Sequence, residues 1–250
     1  MATLSPPPPL DPNWALFVDV DGTLLEIAAQ PEAVRVPANL PALLERLQNR
    51  HQGAFALVSG RSIAALDRLF HPWRGAAAGL HGGERRRVDG SCVENDGDEA
   101  AAALARVRSA AAAFAPANSG VRLEDKGRTL ALHYRAAPER GPDVARFAKQ
   151  AVADSGQTLR AIDGKLVVEL VPRGYGKGRA IAAFLVEPPF RGRRPAFLGD
   201  DLTDEEGFAE IERRHGVSIR VGPPDAATRA SYGLPDVAAT LDWLEGRSTR

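Results

Sequence analysis

The sequence predicts an α/β protein: a doubly wound, mainly parallel sheet interrupted by an inserted α+β domain. Three observations carry this. Apolar strand-like runs at 15–18, 54–58 and 196–198 each end in a polar or glycine-containing turn and are followed by a helical pattern, the β-α alternation of a parallel sheet. Between the second and third runs the style changes to paired alternating segments around Gly127, which read as an antiparallel hairpin. Gly-rich stretches, His81-Gly82-Gly83 and Pro172-Arg173-Gly174-Tyr175-Gly176, bracket that block.

Ala15 to Val18 forms a short buried strand, and Asp19-Val20-Asp21-Gly22-Thr23 ends it. Ligands in open α/β sheets bind at this carboxyl edge. Two acids at strand spacing i, i+2 point to one side, where one can serve as nucleophile and the other as acid/base. A turn in which Asp21-Gly22 merely closes the strand accounts for the same residues. Leu43, Leu44 and Leu47 give 41–50 a helical stripe. The strand at 54–58 runs into Ser59-Gly60-Arg61, a hydroxyl, a close-approach glycine and a cation, all suited to a phosphate, although Ser-Gly before a helix is also ordinary capping. Ile63, Leu66 and Phe70 then place a helix over 62–70.

The insertion, 84–172, holds an alanine-rich helix at 99–114, strands at 121–126 and 129–135, a helix at 142–154 and a strand at 165–171. Alternation groups Glu124 with Lys126, His133 with Arg135, and Lys165 with Val167 and Glu169, opposite Leu130, Leu132, Tyr134, Leu166, Val168 and Leu170. That polar face is either a solvated surface or a lid whose mixed donors and acceptors suit sugar hydroxyls. After it, Gly176-Lys177-Gly178 sets a lysine between glycines at the entry to a helix around 181–185, without the spacing of a P-loop. The third core strand leads into Gly199-Asp200-Asp201-Leu202-Thr203-Asp204-Glu205-Glu206. A capping box of Thr203 and Glu206 explains part of this acidity. Asp200 and Asp201 are left for a hard, oxygen-ligated Mg²⁺ shared with Asp19 and Asp21.

Composition bounds the function. The 250 residues, 44% hydrophobic and 26% charged, can fill one core interrupted by one insertion. Lys plus Arg and Asp plus Glu are both 32, so no global field draws nucleic acid or an anionic membrane. No apolar stretch approaches the roughly 20 residues of a bilayer span. The single cysteine, Cys92, excludes an intrachain disulfide and points to a reducing cytoplasm. Residues 1–12, with four consecutive prolines, are expected to form an extended, weakly ordered tail, leaving 13–83 and 173–250 as the core. The chain is expected to act as a monomer.

In order along the chain, Asp-x-Asp-Gly-Thr-Leu, Ser-Gly-Arg, Gly-Lys-Gly and Gly-Asp-Asp resemble the four motifs of the haloacid dehalogenase-like phosphohydrolases. The resemblance implies Asp19 as the nucleophile that forms an aspartyl-phosphate and Asp21 as the proton donor and then base. It implies Ser59 and Lys177 on the phosphoryl group, with Mg²⁺ held by Asp19, Asp200 and the Asp21 backbone carbonyl. Thr23, Arg61, Asp201 and Asp204 would support these groups from behind.

Gly199 to Glu205, with Gly79-Leu80-His81-Gly82, Glu124-x-Lys126, His133-Tyr134-Arg135 and Gly164-Lys165-x-x-x-Glu169, further resembles the trehalose-6-phosphate phosphatases. This implies a small sugar phosphate as substrate, contacted by Glu124, Lys126, Arg135, Lys165 and Glu169, with His81 and Gly82 near the entrance. Two positions depart from the pattern. Val167 stands where some relatives carry a polar residue, and Ser59 stands where threonine is frequent. A phosphatase for a sucrose- or glucosylglycerol-type ester, or a non-catalytic sugar-phosphate-binding module, would share most of these motifs.

Overall fold

The computed structural model describes residues 4–27, 34–94, 98–223 and 228–247. Its contacts divide the chain into two compact units, 1–93 with 176–250, and 94–175.

The first unit is built on an eight-stranded sheet. Its strands are β1 (Ala15–Val18), β2 (Phe55–Val58), β3 (Ala76–Gly79), β4 (Glu84–Arg86), β5 (Cys92–Glu94), β10 (Pro195–Gly199), β11 (Val217–Val221) and β12 (Tyr232–Leu234). Their order is β12-β11-β10-β1-β2-β3-β4-β5. Pairing is parallel from β12 to β3, and β4 runs antiparallel to β3. Alternation along β1 separates two cores. Leu16 and Val18 pack with α1 (Leu40–Arg50), α2 (Ile63–Leu69) and α7 (Val237–Leu244) through Leu44, Leu47, Leu66, Trp243 and Leu244. Phe17 points the other way, to Ile181 and Phe184 of α5 (Lys177–Leu185) and Phe208 and Ile211 of α6 (Glu205–Arg213). Strands buried on both faces read as continuous apolar runs, which is why 15–18 and 54–58 are legible without alternation. Helices on both faces make the sheet doubly wound.

In the second unit, α3 (Asp98–Ala117) and α4 (Gly141–Asp154) accompany a four-stranded antiparallel sheet. Its strands are β6 (Arg122–Asp125), β7 (Leu130–His133), β8 (Leu159–Gly164) and β9 (Val167–Pro172), in the order β6-β7-β9-β8. Leu104, Val107, Val144 and Ala148 from the helices pack on Leu130, Leu132, Val168 and Leu170. Gly127 closes the β6–β7 hairpin with φ of +79°, a value that favours glycine.

Two local expectations are corrected. Lys165 does not begin a strand: Gly164 pairs with Val167, and Lys165 and Leu166 form the intervening turn, with Leu166 at φ of +61°. The unrecognised partner strand β8 is what requires a turn there. The proline-rich segment, apart from residues 1–3, which lie outside the described residues, is not a loose tail. Ser5 bridges Tyr232 on the sheet edge, its carbonyl accepting from Gly233 N at 3.0 Å. Trp243 Nε1 donates to Pro8 O at 3.0 Å, and Leu10 is buried. Prolines lack an N–H but keep a carbonyl, so Pro8 can accept from the Trp243 indole while Ser5 makes the contact to the edge strand.

Burial also sets a pH response. His51, at the end of α1, is buried and donates from Nδ1 to Trp14 O at 3.0 Å. Burial pushes its pKa below the usual 6.5, and Arg50 and Arg193 act in the same direction against the Trp14 carbonyl. The unfolded chain then binds a proton near pH 6.5 that the folded chain refuses. Stability is full above that pH and falls as pH drops from 6.5 to the lowered folded value. Thermal melts of the wild type between pH 7.5 and 5 should show this decline, and His51→Asn, whose amide still donates to Trp14, should flatten it.

Candidate active site

Each core strand delivers its chemistry as it leaves the sheet. β1 presents Asp19, whose N–H donates to Leu198 O of β10 at 2.9 Å. The following turn needs Gly22, because its φ is +83° and a Cβ there would run into the Asp200 carboxylate. β2 delivers Ser59, buried, its N–H on Ala78 O at 2.9 Å and its Oγ accepting from Arg61 N at 3.1 Å. β10 ends at Gly199, where a Cβ would strike Asp204.

The charge cluster is formed by Lys177, Asp19, Asp204 and Asp200, all buried. Lys177, at the first turn of α5, donates from Nζ to Asp19 Oδ1 at 2.8 Å and to Asp204 Oδ1 at 2.6 Å. The other Asp204 oxygen accepts from the Asp200 and Asp201 N–H groups at 3.0 and 2.9 Å. Asp204 is therefore a hub in direct contact with the lysine, not a background support. The acidic loop is capped by Asp201 and Asp204 around a short 3-10 turn at Leu202–Asp204, and this replaces the box expected from Thr203 and Glu206. A carboxylate three residues after the cap can reach back to its N–H, and here that carboxylate belongs to Asp204.

Carboxylate oxygens of Asp19, Asp200 and Asp204 lie within 4.8 Å of one another. The Lys177 ammonium answers two of these three buried carboxylates, Asp19 and Asp204. Burial, with Asp204 and Asp200 nearby, raises Asp19 well above the usual carboxylate range, and Lys177 only partly opposes this. Burial pulls Lys177 down, but Asp19 and Asp204 outweigh it and keep the ammonium charged beyond any ordinary pH. Crowded carboxylate oxygens are the donor set a hard divalent cation takes, so these residues fit Mg²⁺.

Asp21 does not join that cluster. Its carboxylate forms a bidentate pair with Arg61, Nε to Oδ2 at 2.6 Å and Nη2 to Oδ1 at 2.7 Å. Thr23 is fully buried behind the turn, and His81, also buried, packs over Gly60. Gly82, with φ of +94°, lies against Gly176 O and Ala180. Sequence pattern does not single out Glu84. Its carboxylate accepts from Ile63 N at the start of α2. A charged residue opening a strand just after His-Gly-Gly was the available signal.

In the second unit the polar face carries two ion pairs, Lys126 Nζ to Glu169 Oε1 at 2.7 Å and His133 Nε2 with Glu124 Oε2 at 2.7 Å. The His133 hydrogen bond lowers the Glu124 pKa despite burial. Arg135 donates to Lys165 O at 3.1 Å. Val167 lies beside His133 in register. The five expected sugar-contacting residues thus lie on or beside one antiparallel sheet.

A doubly wound sheet with a lysine and three aspartates at its carboxyl edge, taken with the family match that follows, places the chain among the haloacid dehalogenase-like hydrolases. Residues 17–238 match the trehalose-phosphatase family, and the chain belongs to it. It is 44% identical over 227 residues to a probable trehalose-phosphate phosphatase of Sinorhizobium fredii, covering 91% of this chain and 84% of the relative. It is 43% identical over 243 residues to a trehalose-6-phosphate phosphatase of Escherichia coli, covering 97% and 89%. The C-terminal domain of a C. albicans trehalose-6-phosphate phosphatase shares the fold, with a TM-score of 0.81, 22% identity and coverage of 98% and 99%. Among the described residues no helix is long and apolar enough to cross a membrane.

Proposed function

We propose that this chain hydrolyses trehalose 6-phosphate to trehalose and phosphate through an aspartyl-phosphate on Asp19. The observation that carries the chemistry is the buried Lys177 ammonium bonded to both Asp19 and Asp204. It holds the Asp19 carboxylate in one orientation and sets positive charge where phosphoryl oxygens would lie. An Asp19 oxygen attacks phosphorus, the bond from phosphorus to the sugar oxygen breaks, and Asp21 gives that oxygen its proton. Asp21 then takes a proton from water, which attacks phosphorus and frees Asp19 with release of phosphate. The Ser59 hydroxyl and Lys177 hold the phosphoryl oxygens throughout, and Arg61 orients Asp21. Asp19, Asp200 and the Asp21 carbonyl, with Asp204 close by, would hold Mg²⁺, which when bound would neutralise phosphoryl charge.

Sugar specificity is assigned to Glu124, Lys126, Arg135, Lys165 and Glu169, whose paired donors and acceptors suit hydroxyl groups. Support for the substrate comes from the two bacterial relatives above, both named for trehalose phosphate. The same reading takes the chain as cytoplasmic and as a monomer, the latter checked by light scattering of the purified protein.

Phosphate release from trehalose 6-phosphate, sucrose 6-phosphate and glucose 6-phosphate, compared with Mg²⁺ at equal concentration, tests the substrate. A preference of at least about tenfold for trehalose 6-phosphate, roughly 1.4 kcal/mol of transition-state discrimination, is the expected result. A flat profile sinks the specific assignment and leaves a general sugar-phosphate phosphatase.

A further inference from the structure

Gly79-Leu80-His81-Gly82 stands out because three successive residues adopt left-handed backbone, Leu80 at φ of +50°, His81 at +55° and Gly82 at +94°. Only glycine enters that region without penalty, so two bulky residues held there are strained, and strain persists only where surrounding contacts enforce it. The enforcing contacts are specific. Leu80 N donates to Arg61 O at 2.9 Å and His81 N donates to Ser59 O at 3.0 Å. The imidazole then lies on Gly60 so tightly that a Cβ there would sit 2.6 Å from His81 Nε2.

On its far side the turn meets the other phosphate-binding loop. A Cβ on Gly82 would lie 3.1 Å from both Gly176 O and the Ala180 Cβ, at the entry to the helix that carries Lys177. Glu84 closes the arrangement, accepting from Ile63 N. Its Oε1 would lie 2.6 Å from a Cβ on Gly79. From these contacts we infer that the Leu80–Glu84 segment is a clamp that fixes the separation of the Ser59-Gly60-Arg61 and Gly176-Lys177 loops, with His81 and Glu84 as its positioning residues.

This rests on the phosphatase reading above and deepens it. His81 and Gly82, which the family resemblance sets near the substrate, act through the loops they hold. Glu84 touches none of the reacting groups, so its effect passes through Ile63 and the loop that precedes it. The group required of it is an acceptor, not a charge. A glutamine keeps an acceptor oxygen at that place and an alanine does not.

The test measures kcat and KM with p-nitrophenyl phosphate, inhibition by inorganic phosphate, and Tm, for the wild type, Glu84→Ala and Glu84→Gln. A misplaced loop should lower kcat about tenfold and weaken phosphate inhibition about tenfold in Glu84→Ala, while Glu84→Gln stays within about twofold on both. A merely structural role would lower Tm and leave kcat and phosphate inhibition of the folded protein unchanged, which overturns the clamp. Equal impairment of the Gln and Ala variants overturns it as well, since charge would then be what matters. If Glu84→Ala does not fold, His81→Asn decides. Asparagine tolerates the left-handed backbone but is too short to cover Gly60 as imidazole does, so the same two losses are expected and wild-type values overturn the clamp. Wild-type turnover of trehalose 6-phosphate reports on the proposed substrate separately, because the clamp is read on a generic phosphate ester.

Discussion

Asp19→Asn should lower kcat by at least about a thousandfold while the protein still folds and still binds inorganic phosphate. An amide matches the carboxylate in size and keeps one oxygen to accept from Lys177, so the contact seen at 2.8 Å can persist in weaker form. What disappears is the anionic oxygen that attacks phosphorus. Folding should not suffer, because burial first, and then the neighbouring Asp204 and Asp200, already disfavour a charge on Asp19. Acid-quenched wild-type enzyme should carry substrate-derived phosphate that hydroxylamine removes, and the variant should carry none. Equal turnover by the two proteins would sink the covalent mechanism, and equal labelling would move the nucleophile elsewhere.

The residues of this site differ in how they announce themselves. Asp19, Ser59, Lys177 and Asp200 lie at the ends of apolar runs or between glycines, and each position has a local physical reason: a sheet edge, or a backbone that must approach closely. Asp204 was harder to rank. Read locally it is one acid among five before a helix, and a helix N-terminus welcomes acids. Its role as a hub depends on Lys177, 27 residues earlier, and on a cap that forms at Asp201 and not at Thr203. Such a partnership exists only in three dimensions.

The same distinction runs through the fold. β1 and β2 are legible because both faces are buried and the runs are apolar. β3, Ala-Ala-Ala-Gly, is as buried but carries no strand propensity of its own; it is a strand because β2 and β4 flank it. β11 includes Ser218 and Arg220, both buried, which interrupt the apolar pattern. They are tolerated because Glu212 accepts from Ser218 and Glu205 faces Arg220 at 3.6 Å. Missing β8 had a further consequence, since without it Lys165 reads as part of a strand and the turn is invisible. The N-terminal prolines mislead for the reason already met: composition reports what they cannot donate and is silent on what their carbonyls accept.

Lys177→Met should be the most damaging substitution in the molecule, for activity and for stability together. The ammonium is 3% exposed and bonded to two carboxylates. Methionine fills a similar volume, so the loss is electrostatic: Asp19 and Asp204 both lose the ammonium they accept from. Breaking a buried ion pair by removing one side costs about 3–5 kcal/mol because the remaining charge stays uncompensated. The pH dependence follows with a definite sign. Carboxylates whose folded pKa is raised above the unfolded value contribute stability at low pH and lose it as pH rises through the folded pKa. Lys177 opposes that rise for Asp19, so its removal should raise the pKa further and make the variant's deficit grow with pH. Melting curves from pH 4.5 to 8 should diverge from the wild type toward the alkaline end. Millimolar Mg²⁺ should narrow the gap, since a cation that binds only the folded chain adds RT ln(1 + [Mg²⁺]/Kd) to its stability. Turnover should stay undetectable even where Mg²⁺ restores the fold, because charge neutralisation by a cation does not replace a donor fixed 2.8 Å from the Asp19 carboxylate. A variant melting in parallel with the wild type across this range would show that the three acids are protonated or compensated by other means, and the electrostatic account of the site would fall with it.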